Sequence, residues 1–209
     1  KLAEIGKPFW LAGSYGSPGR LAEAKCLGAT GVQVGSAFAL CNESALREDI
    51  KRELRQRIAT DSLEVKTSAT ASPSGFPFQV VQLEGSLSEL SVYENRQRIC
   101  NIGHLTQAYQ KDESEGGGVG FRCPAEAVDA YVKKGGNAAD AEAKVCLCNG
   151  LGSAAGYGQS TRTGEEPFIV TLGKDTGFYK QLEVQADGSY SAEDVVRAIM
   201  SPVREPAAS

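Results

Sequence analysis

The stretch LAGSYGSPGRLAEAKCLGATGVQVGSAFAL (residues 11–40) carries two small-residue turns, Gly13-Ser14 and Gly35-Ser36, each closing a short apolar run. Glycine lets a backbone approach an anion closely, and serine adds a hydroxyl donor in little space. A phosphate held between two neighbouring strand ends calls for such an arrangement, because backbone N–H groups and helix N-termini converge there. Ordinary turns between strands and helices use the same residues, so the pattern leaves both readings open. Two better-known nucleotide motifs fit badly. GSYGSPG spaces its glycines as G-x-x-G-x-x-G, no Asp or Glu closes the next strand, and the Gly-Lys-Ser/Thr of a P-loop is missing.

Six cysteines form the second concentration of chemistry. Cys26 and Cys41 read as small core residues, one near the apolar side of a helix and one just after a strand. Cys100, Cys123, Cys146 and Cys148 fall in an irregular region with few large apolar side chains. Such a region needs another staple, and four thiolates could hold a structural zinc ion tetrahedrally. Free buried thiols and disulfides are the other readings, since Cys146 and Cys148 make a C-x-C pair and not a C-x2-C knuckle. His104, the only histidine, sits in CNIGHLTQAY and reads as a loop or partly buried residue. No His stands where it would activate a cysteine for nucleophilic attack.

The elements that must position these residues follow from local pattern. PFWLA (8–12) and GVQVG (31–35) read as buried parallel strands, with a helix over 18–28 between them, so the unit is strand, helix, strand with a right-handed crossover. SAFAL (36–40) reads as a short extra helix. A stronger helix follows, with Ser44 as its cap, Leu46, Ile50, Leu54 and Ile58 as its apolar stripe, and Glu48 paired with Arg52 on its exposed face. Glu43 belongs to the lead-in. From Val65 to about Gly152 the chain is broken by Pro, Gly and Ser, with short helical pieces at 88–98 and 124–134. SPSGFP (72–77) reads as a rigid turn and KDESEGGGVG (111–120) as a mobile loop. PFIVTLG (167–173) reads as a strand, and SAEDVVRAIM (191–200) as a helix capped by Ser191.

The chain has 209 residues, 41% hydrophobic and 23% charged, enough for a sizeable core in one or two domains. Its net charge of −4 argues against a nucleic-acid binder, which needs a basic face. No apolar run approaches the roughly 20 residues needed to span a bilayer. The opening KLAEIGKPFWLAG reads as the end of a helix running into a strand, and the one methionine is Met200; the expectation is a portion of something longer.

GATGVQVGSAFALCNES (28–44) resembles the last barrel strand of the nitronate monooxygenase (2-nitropropane dioxygenase) family, FMN enzymes with a TIM-barrel fold. FWLAGSYGSP (9–18) looks like the preceding strand, and TSATASPSGFPFQVV (67–81) is similar to the segment after the barrel. The resemblance covers residues 1 to about 85 and continues into a Cys-containing tail found in a longer branch of the family. It implies an α/β fold: residues 1–64 as the last strands of a (β/α)8 TIM barrel, then residues 65–209 as an irregular α+β extension. It also implies a cytoplasmic flavin-dependent oxidoreductase that oxidises nitroalkanes or nitronates with oxygen, with the FMN phosphate held around Gly13, Ser14, Gly35 and Ser36. In that setting Tyr15 could stack near the flavin ring or face solvent. Ser36 stands where the family has threonine, and Gly13-Ser14 where a Gly-Gly pair is frequent. The family's catalytic histidine lies in an Ala-Gly-Gly-His-like segment that this chain lacks, so its base is expected outside residues 1–209. Flavin enoyl reductases that use NAD(P)H share the same two strand ends and are the second implied reading. A non-catalytic, metal-stapled interaction module over 65–209 is the third.

Overall fold

The structure is a computed structural model that describes residues 2–162 and 164–201. In chain order its elements are β1 (Trp10–Ala12), α1 (Arg20–Cys26), β2 (Gly31–Gln33), α2 (Ser36–Ala39), α3 (Glu48–Ala59), β3 (Val65–Ser68), β4 (Phe78–Val81), α4 (Leu90–Asn95), β5 (Gln107–Gln110), β6 (Val119–Arg122), α5 (Val128–Lys133), α6 (Leu147–Ala154), β7 (Ser160–Thr161), β8 (Gly164–Glu165) and α7 (Ala192–Met200). The described residues within Lys1–Leu63 and Leu172–Ser209 form one unit, and those within Glu64–Thr171 form a second. Residues 172–201, placed with the extension on sequence grounds, therefore fold with the N-terminal stretch. The strands make four two-stranded sheets, none closed.

In the first unit β1 and β2 pair in parallel, Trp10 opposite Gly31, Leu11 opposite Val32 and Ala12 opposite Gln33. The helix between them is shorter than its sequence pattern. It starts after Gly19 and gives way at Gly28, both left-handed, and buries Ala24. Cys26 is exposed, which corrects its reading as a core residue: the apolar side of α1 is too narrow to cover it.

α3 begins at Glu48, so Ser44 is not its cap and Leu46 lies before it. The Ser44 hydroxyl donates instead to the Ala39 carbonyl at 2.7 Å and stays in the connecting turn. Ile50, Leu54 and Ile58 form the buried stripe as the periodicity requires. Lys51 and Arg55 are buried too, at 3% and 2% exposure. Burying a cation is costly unless polar partners replace water. Here Lys51 Nζ donates to the Asn42 and Cys41 carbonyls at 3.0 and 3.3 Å, and Arg55 Nε to the Leu40 carbonyl at 2.9 Å. Glu48 pairs with these two cations, at 3.1 and 3.2 Å, and not with Arg52 as its spacing suggested.

The C-terminal stretch docks on the same turn. Tyr190 Oη donates to the Ala37 carbonyl at 2.7 Å, its ring lies 5.6 Å from the Arg55 guanidinium, and the Asn42 N–H donates to the Tyr190 carbonyl at 2.9 Å. Glu43 accepts from the Ala192 N–H at 2.8 Å, a bond that holds its carboxyl below the usual range. α7 then starts with a Ser191–Asp194 capping box.

In the second unit β3 and β4 pair antiparallel, and the segment before Leu172 runs beside β4 through Val81 N–H to the Val170 carbonyl and a bridge from Val80 to Thr171. No full strand forms over 167–173. Phe168 and Ile169 bond instead to Leu87 and Gly150, so the backbone partners come from separate segments and no ladder can extend. Ala71, Val80, Leu87, Val145, Leu147 and Ile169 make the core. Of KDESEGGGVG, residues 111–118 join β5 to β6, with Gly116, Gly117 and Gly118 all left-handed at the tip, while Val119 and Gly120 already pair in β6. Among the described residues no helix is long and apolar enough to cross a membrane.

Replacing Arg55 with methionine keeps most of its packing but leaves the Leu40 carbonyl unpaired, and is expected to cost about 3 kcal/mol of stability in denaturant unfolding. Replacing the exposed Arg52 with alanine should change stability by less than about 0.5 kcal/mol.

Candidate functional site

Parallel pairing sends both glycine turns out of the same end of the β1–β2 sheet, since Ala12 sits opposite Gln33. Gly13 and Ser14 are both left-handed, at φ 83° and 59°. The glycine is at ease there, whereas the serine holds a conformation that L-residues adopt at a cost. Gly35 differs, with φ −105°, a value any residue takes. A Cβ built on Gly13 or Gly35 meets nothing within 4 Å. Packing within the chain therefore gives no reason for glycine at 35, whereas an anion approaching the backbone would give one.

Gly35 leads directly into α2, and no side chain caps that helix. Ser36 Oγ accepts a hydrogen bond from the Gly173 N–H at 2.8 Å, which leaves its own O–H as a donor. The turn is backed by Gly16, where a Cβ would come within 3.1 Å of Val34 Cγ1. Tyr15, next to Ser14 in the chain, is half-buried. The Tyr190 and Arg55 bonds to Ala37 and Leu40 fix α2 from the inside. The structure thus brings Gly13, Ser14, Gly35 and Ser36 together at one sheet end, with room above the glycines.

The four cysteines of the second unit also converge. Cys123 and Cys146 are buried around Ala125, and Cys100 and Cys148 pack against them half-buried. Cys123 follows β6, and its N–H donates to Glu126 Oε1 at 3.1 Å, whose other oxygen holds Lys134 Nζ at 2.6 Å. Arg98 donates to the Pro124 and Ala141 carbonyls at 2.7 and 3.0 Å and so pins the loop that carries Cys123. Cys146 precedes α6, where burial pushes its thiol up to about 11. Each of the two thiols shifts the other: the neighbouring Cys100 holds the Cys123 thiol below its usual range, and Cys123 together with burial pushes the Cys100 thiol up. Every cysteine is unbridged, and among the described residues no group of three or more His, Cys, Asp or Glu is arranged to hold a metal ion. The four sulfurs gather in one cluster around Ala125.

His104 is exposed in a turn, as a loop histidine would be. Glu166 and Arg96, which the sequence reading missed, are buried at 1% and 7% exposure. Both Glu166 carboxyl oxygens and two Arg96 nitrogens lack hydrogen-bond partners, while Arg96 Nη2 donates to the Lys144 carbonyl at 3.1 Å. Burial raises the Glu166 pKa, and the Arg96 charge opposes that rise. The doublet Glu165-Glu166 ahead of an apolar run was the one hint in the sequence. Comparison with known protein families, characterised proteins and solved structures gave no match to this chain.

A carboxyl whose pKa is raised by folding binds its proton more tightly when folded. Its stability contribution is fully present below the ordinary value near 4.5 and is lost as pH rises through the folded value. Glu166→Gln removes this titration. The variant should be more stable than the natural protein by about 1 kcal/mol at pH 7, and the gap should shrink towards pH 4 when both are unfolded in urea.

Proposed function

We propose that this chain carries the cofactor-anchoring strand ends of an FMN-dependent oxidoreductase of the nitronate monooxygenase kind. The observation that carries the reading is the pairing of β1 with β2: it sets Gly13-Ser14 beside Gly35-Ser36 at one sheet end, with open space where Gly13 and Gly35 lack side chains. In this reading the backbone at both turns brackets the FMN phosphate. Ser36 donates its hydroxyl to that phosphate while Gly173 donates to Ser36. Bound FMN would supply the electron-accepting ring, while this chain's residues bind and orient the cofactor by its phosphate. Proton removal next to a nitro group needs a base, and no residue of this chain is assigned that role.

The test uses the full-length polypeptide that carries this sequence. Purified from cells, it should be yellow, with about one FMN per chain, and nitroalkane should drive oxygen consumption. Gly35→Asp places a negative charge in the open space on a backbone that tolerates a side chain; it should cut flavin content at least about tenfold while circular dichroism stays unchanged. A colourless protein overturns the FMN reading. A yellow protein that reduces enoyl thioesters with NAD(P)H and ignores nitroalkanes moves the activity to the enoyl reductases.

A further inference from the structure

A cleft between the β5–β6 hairpin and α5 takes no part in the flavin reading and lies wholly within the second unit. We propose that it binds a small molecule carrying two linked phosphates, through the ammonium groups of Lys111, Lys133 and Lys134. The cleft has a volume of about 360 Å³ and is lined by Tyr109, Lys111, Ala130, Lys133 and Lys134. Among the described residues no carboxylate lines it. Three cations thus converge on one cavity in a chain whose net charge is −4.

Strand alternation puts the hairpin's share of these residues on one face. Tyr109 stands opposite Gly120, and Lys111, two positions further on, continues the pairing through its N–H to the Gly118 carbonyl at 2.9 Å. Gly120 is what lets the Tyr109 ring lie across β6, since a Cβ there would come within 2.6 Å of the ring. Arg122 shares that face, its guanidinium 5.3 Å from the Tyr109 ring and 5.6 Å from the Tyr131 ring. Its Nη1 donates to the Lys134 carbonyl at 2.7 Å, which ties the end of α5 to the hairpin. Arg122 Nε is buried without a hydrogen-bond partner. A fourth cation therefore touches two of the residues that line the cleft.

Lysines at the C-terminal end of a helix ordinarily serve its free carbonyls. At α5 those carbonyls are already taken. The Gly135 and Gly136 N–H groups donate to the Val132 and Tyr131 carbonyls at 2.9 and 3.0 Å, and Arg122 takes the Lys134 carbonyl. Lys134 Nζ pairs with Glu126 at 2.6 Å, whereas among the described residues the Lys111 and Lys133 ammonium groups have no ion-pair partner. Like charges gathered without such partners repel one another, and an anion in the cleft turns that repulsion into attraction. Two linked phosphates suit it, because their oxygens spread far enough to meet lysines from two elements at once. A long polyanion is repelled by the net negative charge of the rest of the chain.

The test titrates the purified protein with inorganic pyrophosphate in a calorimeter, with sulfate at matched ionic strength as the comparison. Pyrophosphate should bind at least about tenfold more tightly than sulfate, and its binding should weaken as sodium chloride rises. Lys111→Gln combined with Lys133→Gln should weaken it at least about tenfold with circular dichroism unchanged, since neither ammonium group bonds to the fold. Lysine acetylation of the natural protein followed by peptide mapping gives a readout that requires no variant. Pyrophosphate should slow modification at Lys111, Lys133 and Lys134 and leave the exposed Lys25 unaffected. Absence of pyrophosphate binding, or equal binding of sulfate, overturns the proposal. So does pyrophosphate binding that survives the double substitution, which would place the anion elsewhere, as at the glycine turns of the first unit.

Discussion

Two cations sit inside the first unit with almost no access to water, and the carbonyls of one turn satisfy them. Lys51 and Arg55 reach from one face of α3 to the carbonyls of Leu40, Cys41 and Asn42. A buried cation without partners would destabilise the fold by several kcal/mol, so these bonds fix where the turn must lie. The turn cannot move without stranding the charges. Because α2 ends in that turn, its position is set from below, and Tyr190 sets it again through Ala37 and the ring beneath Arg55.

The consequence reaches the strand ends. α2 starts at Ser36, so a helix held at its last residues also holds Gly35 and the hydroxyl that Gly173 bonds. On the other strand Ser14 keeps a left-handed backbone that a mobile turn would relax. Two independent constraints therefore face the same open space. A site that binds an anion through backbone groups needs this kind of rigidity, since the binding strength comes from amides already aimed before the ligand arrives.

The βαβ unit and the two glycine turns were legible because they depend on short-range pattern: apolar runs of strand length, a helix between them, and glycine at the ends. The stripe Ile50, Leu54 and Ile58 was legible for the same reason. Lys51 and Arg55 were not, because a lysine or arginine at these positions reads as solvated face until the carbonyls that bury it are known. The same unseen contacts displaced the expected Glu48–Arg52 pair and moved the helix start from Ser44. Cys26 was misplaced because nearness to a helix's apolar side does not give the width of what covers it. The gathering of Cys100, Cys123, Cys146 and Cys148 across the second unit followed the composition argument that a loop-rich region needs a staple. The place of Cys123 in that cluster is set by Arg98 and the 123–126 loop, and no spacing rule encodes that. Glu166 shows the limit from the other side, since nothing local marks a carboxyl that folding will bury without a partner.

The central claim is that the paired strand ends recognise a phosphate, and the flavin pair FMN and riboflavin isolates that group. Flavin fluorescence quenching on the full-length apoprotein gives both affinities. The account predicts that FMN binds at least about 100-fold more tightly than riboflavin, the worth of one or two charge-assisted hydrogen bonds. Equal affinities for the two flavins would contradict it.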